Sequence, residues 1–185
     1  MTVFRRATLR SQWWLTYIRS IKYCHRCGKL LKRQYVREEK TRRHVCTKCG
    51  NITYLNPKIV AAVIPVDSKG RIGLLKRAID PARSKWTYPA GFQELGETIQ
   101  QAAHRESWEE IRAHVKVESL LGIYSYTDAG VVTIVFCGRV KKNEKPSRTP
   151  EALEIRWFRK KEIPWKELAF RSTREALRDF LHFRR

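Results

Sequence analysis

The sequence has no apolar run approaching the roughly 20 residues that a helix needs to cross a bilayer. Its N-terminus also lacks the apolar segment and the small-residue cleavage site of a secretory signal, which disfavours export. Internal repeats and low-complexity tracts are absent as well. From these absences we expect a cytoplasmic, globular protein.

Acidic residues are missing from the start of the chain, and Glu38 is the first of them. Residues 1–50 hold 14 Lys and Arg against two acids, residues 51–140 hold 11 against nine, and residues 141–185 hold 14 against seven. The net charge of +21 therefore belongs mainly to the two ends. This distribution favours polyanionic partners, either a phosphorylated substrate or RNA. A protein that is simply rich in lysine and arginine is the alternative.

Residues 1–20 form a basic leader that combines four arginines and four aromatic residues with no acid. An amphipathic anchor, an organelle-targeting segment, a disordered tail and a tail docked on the domain are all compatible with that composition. The sequence leaves these alternatives open.

Four of the five cysteines form two C-x2-C pairs, separated by 18 residues, within residues 21–55. The four are Cys24, Cys27, Cys46 and Cys49. This spacing is typical of a structural zinc site, in which four thiolates complete a tetrahedral coordination sphere. Two disulfides are the alternative, which the expected cytosolic location disfavours. We therefore predict a small zinc ribbon that needs Zn²⁺ to fold.

A helix is predicted to begin near Thr98, because Thr98 and Gln101 form a capping-box pattern. At about 100° per residue, one arc of this helix carries small apolar residues together with three carboxylates. The three are Glu106, Glu109 and Glu110. Like charges at this spacing repel one another, and a divalent cation would turn the repulsion into coordination. A solvated acidic face is the alternative for such a run.

Fixed spacing around this helix separates six residues: Gly91, Glu97, Arg105, Glu106, Glu109 and Glu110. This spacing resembles the Nudix box, G-x5-E-x7-R-E-U-x-E-E-x-G-U, in which U is aliphatic. Three other positions differ: we align Ser107 and Arg112 with aliphatic residues of the pattern, and Ile111 with its glycine. These three positions govern how the helix packs and ends, whereas every charged position of the pattern is present.

The resemblance covers roughly residues 22–180. A four-cysteine ribbon followed directly by Asn56-Pro57 and a core strand is similar to the zinc-ribbon branch of the Nudix hydrolases. That branch includes NADH pyrophosphatases and FAD- or ADP-ribose-type pyrophosphatases. The resemblance implies an α+β fold, an α/β/α sandwich with a mixed sheet in residues 56–185, preceded by the ribbon.

Apolar runs on either side of the helix independently predict strands for this sheet. Lys58–Val66 and Arg71–Arg77 form one predicted β-hairpin, and Val115–Tyr126 and Val131–Val140 form another. The segment from Ser172 to Glu175 is a candidate cap for a final helix that runs through Phe180.

The resemblance also implies roles for the charged positions. The glutamates of the helix, Glu106, Glu109 and Glu110, would bind Mg²⁺ or Mn²⁺, and one of them would orient or deprotonate water. Glu97 would help to hold the metal loop, and Arg105 would orient the carboxylates. The backbone at Gly91 would add contacts to the metal site.

Further candidate residues lie outside the box. A glutamate on a later loop completes the family's site, and Glu151 matches it better than Glu154 does. Arg77, at the end of a predicted strand, is a candidate for phosphate binding, with a solvated surface arginine as the alternative. Tyr124 and Tyr126 are candidates for stacking on a base, although aromatic strand residues more often belong to a core.

Together these features predict a Mg²⁺- or Mn²⁺-dependent pyrophosphohydrolase with a nucleotide diphosphate as its substrate. By resemblance, it would cleave the diphosphate of a nucleoside diphosphate linked to another moiety, of the ADP-ribose, FAD or NADH type. RNA-directed removal of nucleotide-type 5′ caps and a non-catalytic zinc-ribbon binding module are the alternatives. A homodimer is left open.

Overall fold

The computed structural model describes residues 13–141 and 144–183, so most of the predicted basic leader lies outside the described residues. The chain divides into two compact units. The smaller unit extends to Pro57 and includes Tyr126–Gly130, and the larger unit comprises the remainder. A search of the described residues finds no helix with the length and apolar character needed to cross a membrane.

The smaller unit contains a short helix and a three-stranded antiparallel sheet. Its elements are α1 (Trp13–Ser20), β1 (Leu31–Val36), β2 (Thr41–Cys46) and β3 (Ile52–Thr53). The strands lie in the order β1-β2-β3, so β2 is central. The last residue of β2 is Cys46, so this sheet directly positions one of the predicted zinc ligands.

Two glycines shape the turns that carry the cysteine pairs. Gly28 and Gly50 have φ angles of 70° and 69°, in the left-handed region that glycine enters without the penalty of a Cβ. Their N–H groups donate to the carbonyls of Cys24 and Cys46 at 2.8 and 3.2 Å. Each C-x2-C pair is thereby closed into a tight knuckle.

The larger unit is built on a seven-stranded mixed sheet. Its strands are β4 (Lys58–Val66), β5 (Ile72–Arg77), β6 (Trp86–Thr87), β7 (Ala90–Phe92), β8 (Val115–Ser125), β9 (Val131–Val140) and β10 (Ala152–Phe158). The order is β10-β5-β4-β9-β8, with β6 paired to β5 and β7 paired to β4. The β4–β9 pair is parallel and the other pairs are antiparallel.

Both predicted hairpins are present, but the two strands of the first one pair over a much shorter length than expected. Strands β4 and β5 meet only at Val66 and Ile72. Because β9 pairs with β4 along its whole length, β7 must occupy the other side of β4, where β5 would otherwise lie. The segment that carries β6 and β7 therefore separates the two strands of the hairpin.

Two helices cover the sheet, α2 (Ile99–Ile111) and α3 (Arg171–Phe183). Helix α2 packs Ala102 and Ala103 against Ala61, Val63 and Phe136 of the sheet, and its small side chains let the helix approach closely. Helix α3 packs on β8 and β9. The result is the predicted α/β/α sandwich.

Helix α3 differs in detail from the prediction. It begins at Arg171, one residue before Ser172, and ends at Phe183. Ser172 therefore lies inside the first turn, where it cannot act as the predicted cap. The buried face of the helix includes Ala176 and Phe180, which anchor it to the sheet.

The start of α2 agrees with the predicted capping box, but its end corrects our alignment. Thr98 accepts from the Gln101 N–H at 3.2 Å, and the Gln101 side chain accepts from the Thr98 N–H at 2.7 Å. At the other end, Arg112 adopts a left-handed conformation with a φ of 51°. That is where a helix favours glycine, so Arg112 occupies the glycine position of the Nudix pattern. Our alignment of Ile111 with this glycine was wrong, because the pattern places its glycine two residues after Glu110, and Ile111 is still helical and buried.

Ser107 fills an aliphatic position of the pattern without leaving a polar group unpaired. It is buried, and its hydroxyl lies 2.8 Å from the carbonyl of His104 and 3.1 Å from that of Ala113. The hydroxyl therefore finds acceptors at the end of its own helix, which removes the cost of burying it.

Candidate active site

Arg105 is the centre of a carboxylate cluster on α2. Its guanidinium donates to Glu97 at 2.7 and 3.1 Å, to Glu106 at 2.7 Å and to Glu109 at 2.9 Å. It also donates to the carbonyl of Phe92 at 3.0 Å. The hydrogen bond with Glu97 is the main cause that raises the pKa of Arg105 and lowers the pKa of Glu97. A single guanidinium thus joins the loop before α2 to two glutamates of the helix.

The carboxylate of Glu106 lies directly against the backbone of Gly91. A Cβ at position 91 would lie 2.1 Å from the Glu106 Cδ and 2.2 Å from both carboxylate oxygens. No side chain fits there, which explains why this position is glycine. Burial raises the pKa of Glu106, although its bond to Arg105 opposes the shift.

Glu110 is the most deeply buried carboxyl group of the cluster, with 4% of the residue exposed. Its Oε2 accepts from the Ala90 N–H at 2.8 Å. Burial is the main cause that raises the pKa of Glu110 to about 8; the Ala90 N–H and the charge of Arg77 oppose the shift, and the charges of Glu106 and Glu151 add to it. Glu110 therefore lies where a further positive charge would stabilise its ionised form.

Glu109 lies at the edge of the cluster. Its side chain is 51% exposed, compared with 12% for Glu106. The predicted arc therefore holds for Glu106 and Glu110, while Glu109 faces solvent and contacts the cluster through Arg105.

The sheet supplies the surface that receives these side chains. Strand β7 pairs with β4 through Ala62–Ala90 and Ala61–Gly91, which holds the Ala90–Gly91 backbone beneath α2. The sheet, the box loop and the helix thus meet at one place. This convergence is what the periodicity of the helix alone could not show.

Arg77 and Glu151 approach the cluster from two adjoining strands. Arg77 ends β5 and pairs with Ala152 of β10, one residue after Glu151. The N–H of Ala78 donates to the Glu151 carbonyl at 2.8 Å. Both charges act on the pKa of Glu110, so both sequence-predicted residues lie near the glutamates.

Other contacts fix the orientation of Arg77. Its Nε donates to the carbonyl of Pro81 at 2.8 Å, and its guanidinium carbon lies 5.2 Å from the centre of the Phe170 ring.

Three other candidates are placed by neighbours outside the cluster. Tyr124 is buried and its hydroxyl donates to Asp179 of α3 at 2.7 Å, so it packs on the α3 side of the sheet. Glu154 accepts from Arg156, with the Nε at 2.9 Å. Tyr126 lies in the segment that groups with the smaller unit.

Two contributors to the cluster escaped the sequence analysis. One is the Ala90 N–H, a backbone donor that no side-chain pattern reveals. The other is Thr149, whose hydroxyl donates to the Glu110 carbonyl at 3.1 Å and accepts from the Glu151 N–H at 3.2 Å. The only signal for Thr149 is the Thr-Pro-Glu sequence, which predicts a turn but no partner.

The chemistry of the carboxylate oxygens in the cluster suits a divalent cation, although the described carboxylates are not gathered into a preformed ligand group. The carboxylates involved are those of Glu97, Glu106, Glu109, Glu110 and Glu151, against the guanidiniums of Arg77 and Arg105. When all are ionised, negative charge exceeds positive charge, and carboxylate oxygens are the ligands that hard divalent cations prefer. The absence of a side chain at Gly91 leaves the Glu106 carboxylate room beside the backbone.

The four predicted zinc ligands do converge. In the part of the chain that the structure describes, their sulfurs form a group whose ligand atoms all lie within 4.8 Å of one another. All four are free thiols, so the predicted thiol site is favoured over disulfides. The Sγ of Cys27 lies 3.4 Å from those of Cys46 and Cys49, and Cys24 lies 3.8 Å from Cys49. These separations approach the edge of a tetrahedron with Zn–S bonds of about 2.3 Å.

Backbone amides also face one of these sulfurs. The N–H groups of Lys48 and Cys49 donate to the Sγ of Cys46 at 3.4 and 3.5 Å. The Cys49 N–H is the main cause that lowers the pKa of Cys46 to about 6; against the backbone hydrogen bond of Lys29, the side-chain hydrogen bonds with Cys46 and Cys49 raise the pKa of Cys27 to about 11. A thiolate is the form that binds a metal, and four converging cysteine sulfurs fit Zn²⁺.

Comparison with known proteins gives two adjacent family matches. Residues 56–180 match the NUDIX domain, and residues 22–55 match the zinc-ribbon family described as Nudix N-terminal. In a crystal structure, a NUDIX hydrolase from Nitrosomonas europaea is 36% identical, with a TM-score of 0.83 over 89% of this chain and 92% of that one.

Two curated relatives have names that state a more specific activity. The ADP-ribose pyrophosphatase of Methanocaldococcus jannaschii is 35% identical over 136 residues, which are 71% of this chain and 77% of that protein. The NAD-capped RNA hydrolase NudC of Haemophilus influenzae is 30% identical over 145 residues, which are 77% of this chain but only 53% of that protein. With a family model spanning most of the larger unit, the chain belongs to the Nudix family of hydrolases, enzymes that act on pyrophosphate bonds with the help of divalent metal ions.

Proposed function

We propose that the protein is a Mg²⁺- or Mn²⁺-dependent pyrophosphohydrolase. Its substrate is a nucleoside diphosphate linked to another moiety, of the ADP-ribose, FAD or NADH type. One observation carries this proposal: the carboxyl groups of Glu106 and Glu110 are buried against the Ala90–Gly91 backbone in a cluster where carboxylates outnumber cations. Burying two ionised carboxyl groups is costly unless cations compensate their charge.

In this proposal the metal ligands come from the box. Glu106, Glu109 and Glu110 hold Mg²⁺ or Mn²⁺, supported by Glu97 and the backbone at Gly91. Such a cation neutralises the diphosphate and lowers the pKa of a bound water.

The remaining charged residues position groups around the diphosphate. Arg105 holds Glu97, Glu106 and Glu109 in a fixed arrangement through charge-assisted hydrogen bonds. One of the helix glutamates orients or deprotonates the attacking water, Glu151 completes the site, and Arg77 adds positive charge for a phosphate of the substrate.

We assign the catalytic domain to residues 56–185 and a zinc ribbon to residues 21–55. In the ribbon the four cysteine thiolates hold Zn²⁺ and fill its coordination sphere, so we give the zinc a structural role. The ADP-ribose class leads among the substrates because the archaeal ADP-ribose pyrophosphatase matches over most of its own length.

The test is a substrate panel with the purified full chain. ADP-ribose, NADH, FAD, dinucleoside polyphosphates and nucleoside triphosphates are incubated with Mg²⁺ or Mn²⁺, and the phosphorylated products are identified. We expect hydrolysis of a dinucleotide-type diphosphate by the wild type and by Glu118→Gln, and none by Glu110→Gln. Glu118 is a matched control on β8, because its ion pair among the described residues is an exposed one with Arg139 at 3.0 Å. Full activity in Glu110→Gln would refute the site, and an inactive wild type would refute the function.

A second candidate function is the removal of nucleotide-type 5′ caps from RNA. Residues 22–55 carry ten Lys and Arg against two acids. On one face of the β1–β2 pair, Tyr35, which is 59% exposed, lies opposite Arg42, and the adjacent Arg33 lies opposite His44. An aromatic ring beside cations suits single-stranded RNA, on which bases stack while phosphates are neutralised. The similarity to a NAD-capped RNA hydrolase points the same way.

This candidate is tested by release of a nucleotide from capped RNA at increasing salt. If RNA is the substrate, Arg42→Gln and Tyr35→Ala weaken RNA binding and slow cap release, while hydrolysis of free ADP-ribose is unchanged. Lys69→Gln, which removes one positive charge from the exposed β4–β5 turn, serves as the control. Absence of RNA binding near 0.1 M salt would exclude this candidate. If the entire panel is inert as well, the ribbon as a binding module is the remaining alternative.

A further inference from the structure

We propose that Thr149 is a positioning residue, whose hydroxyl fixes Glu151 relative to Glu110. This inference rests on the proposed function, because it concerns the arrangement of two glutamates of the same site. Thr149 itself does not touch the substrate in this proposal.

One hydroxyl group joins two parts of the site. The Thr149 Oγ1 donates to the carbonyl of Glu110 at 3.1 Å and accepts from the N–H of Glu151 at 3.2 Å. The first bond reaches the last turn of α2, and the second reaches the residue that precedes β10. A side chain that is both donor and acceptor is needed for this pair of bonds, and a threonine hydroxyl provides both.

The backbone around Glu151 is held on both sides. The N–H of Ala152 donates to the Thr149 carbonyl at 3.1 Å, which closes a four-residue turn with Pro150 in its second position. Proline fixes its own φ near −65°, so this turn has little freedom of its own. The carbonyl of Glu151 accepts from the Ala78 N–H at 2.8 Å, which ties the same residue to the end of β5.

Thr149 donates to a carbonyl that has no hydrogen-bond donor within its own helix. Helix α2 ends at Ile111, so the carbonyls of Glu110 and Ile111 have no N–H of the next turn to accept from. The Ser147 N–H donates to the Ile111 carbonyl at 3.0 Å, and Thr149 occupies the Glu110 carbonyl. The segment that leads to Glu151 is therefore attached to the C-terminal turn of the helix that carries Glu110.

Loss of the hydroxyl should affect geometry more than folding. In Thr149→Val the shape of the side chain is kept, but the Glu151 N–H and the Glu110 carbonyl both lose their partner. The turn can then shift relative to α2, and a misplacement of about 1 Å in a catalytic group can cost about 100-fold in rate. Substrate binding should change little, because Thr149 contributes no substrate contact in this proposal.

The kinetic test uses the full chain, Mg²⁺ and ADP-ribose. We expect Thr149→Val to lower kcat by about tenfold or more with KM within about threefold, and Thr149→Ser to restore kcat, because serine keeps the hydroxyl. Thr173→Val is the matched control, since it also removes a buried threonine hydroxyl. Thr173 lies on α3, and its hydroxyl is hydrogen-bonded to that of Thr87 at 3.1 Å. This variant should leave kcat unchanged. In a Glu151→Gln background, Thr149→Val should have less than about a twofold further effect, because its action passes through Glu151.

A second readout does not depend on activity. Amide hydrogen exchange of residues 148–153, followed by mass spectrometry, should be faster in Thr149→Val than in the wild type and unchanged in Thr149→Ser. An inactive wild type would overturn the proposed function, while the exchange result would still decide whether the hydroxyl holds the turn. Unchanged exchange in Thr149→Val, or an equal loss of kcat in the Glu151→Gln background, would overturn the positioning role.

Discussion

Glu110 is a deeply buried ionisable residue, and its surroundings explain why its pKa is raised. Its carboxyl accepts one backbone N–H and lies near two other carboxylates, so burial and like charges together raise its pKa to about 8. A folded group with a raised pKa holds its proton more tightly than the unfolded chain does. Without a bound cation, deprotonation of Glu110 therefore opposes folding.

This property gives a prediction for the protein in buffer free of Mg²⁺ and Mn²⁺. The contribution of Glu110 to the free energy of unfolding is fully present below the unfolded pKa of 4.5 and is lost as pH rises through about 8. Glu110→Gln lacks this dependence, so its stability relative to the wild type should increase from pH 5 to pH 8.5. The increase should be of the order of a few kcal/mol, since each pKa unit corresponds to about 1.4 kcal/mol. Urea unfolding followed by tryptophan fluorescence measures it, and parallel pH profiles would contradict it.

Arg105 provides a second test at the scale of one residue. A lysine keeps the charge but cannot donate in a fork to Glu97 while also reaching Glu106 and Glu109. We expect Arg105→Lys to lower kcat/KM by about tenfold or more, because the loss of several charge-assisted bonds frees the glutamates. The concentration of Mg²⁺ needed for half-maximal activity should rise as well.

The matched control for Arg105→Lys is Arg139→Lys, which changes an exposed arginine whose ion pair, in the part of the chain that the structure describes, is with Glu118. It should leave both measurements unchanged. If the two variants behave alike, Arg105 does not organise the glutamates.

At the scale of elements, helix α2 shows which features the sequence could predict. Its start was predicted correctly because the capping box is formed by neighbours, Thr98 and Gln101. Its end was misaligned by one residue, although the spacing of the pattern itself places the glycine position at Arg112, two residues after Glu110, where the structure has the left-handed conformation. The hydrogen bond from the Ala90 N–H to Glu110 could not be predicted either, because β7 reaches Glu110 only through its pairing with β4.

The left-handed Arg112 leads to a stability prediction for α2. A residue with a Cβ pays roughly 1–2 kcal/mol in this conformation, which glycine avoids. We expect Arg112→Gly to be more stable than Arg112→Ala by about 1 kcal/mol, after allowing for the greater freedom of glycine in the unfolded chain. Both variants lose the guanidinium that lies 5.6 Å from the Trp108 ring centre, so that contact cancels in the comparison. Equal stability in urea unfolding would contradict this explanation of the helix end.

At the scale of the whole molecule, the predicted organisation depends on signals of different range. The ribbon was predictable because cysteine spacing is local, and the structure brings all four sulfurs together. The sandwich was predictable from the box and the apolar runs. The separation of β4 from β5 by β6 and β7 was not, because it depends on pairings between distant segments.

The two compact units also predict different responses to zinc removal. Among the described residues, the three-stranded sheet of the smaller unit has few buried apolar neighbours, whereas the larger unit holds most of the buried apolar residues. Removal of zinc should therefore unfold residues 22–55 and leave the sheet of the larger unit protected. Amide hydrogen exchange with and without a zinc chelator measures the protection of both units. Adding Zn²⁺, but not Mg²⁺, should restore the protection of residues 22–55. Persistent protection of β1 and β2 without zinc would contradict the structural role of the metal.

The central claim is that glutamates on one face of α2 promote cleavage of a diphosphate, and Glu106→Gln tests it most directly. The wild type and Glu106→Gln are each incubated with ADP-ribose and Mg²⁺, and the products AMP and ribose 5-phosphate are quantified. The wild type should release the two products in equal amounts, and Glu106→Gln should do so on the order of 100-fold more slowly while it unfolds at an unchanged temperature or a higher one. Equal rates of product release from the two proteins would contradict the claim.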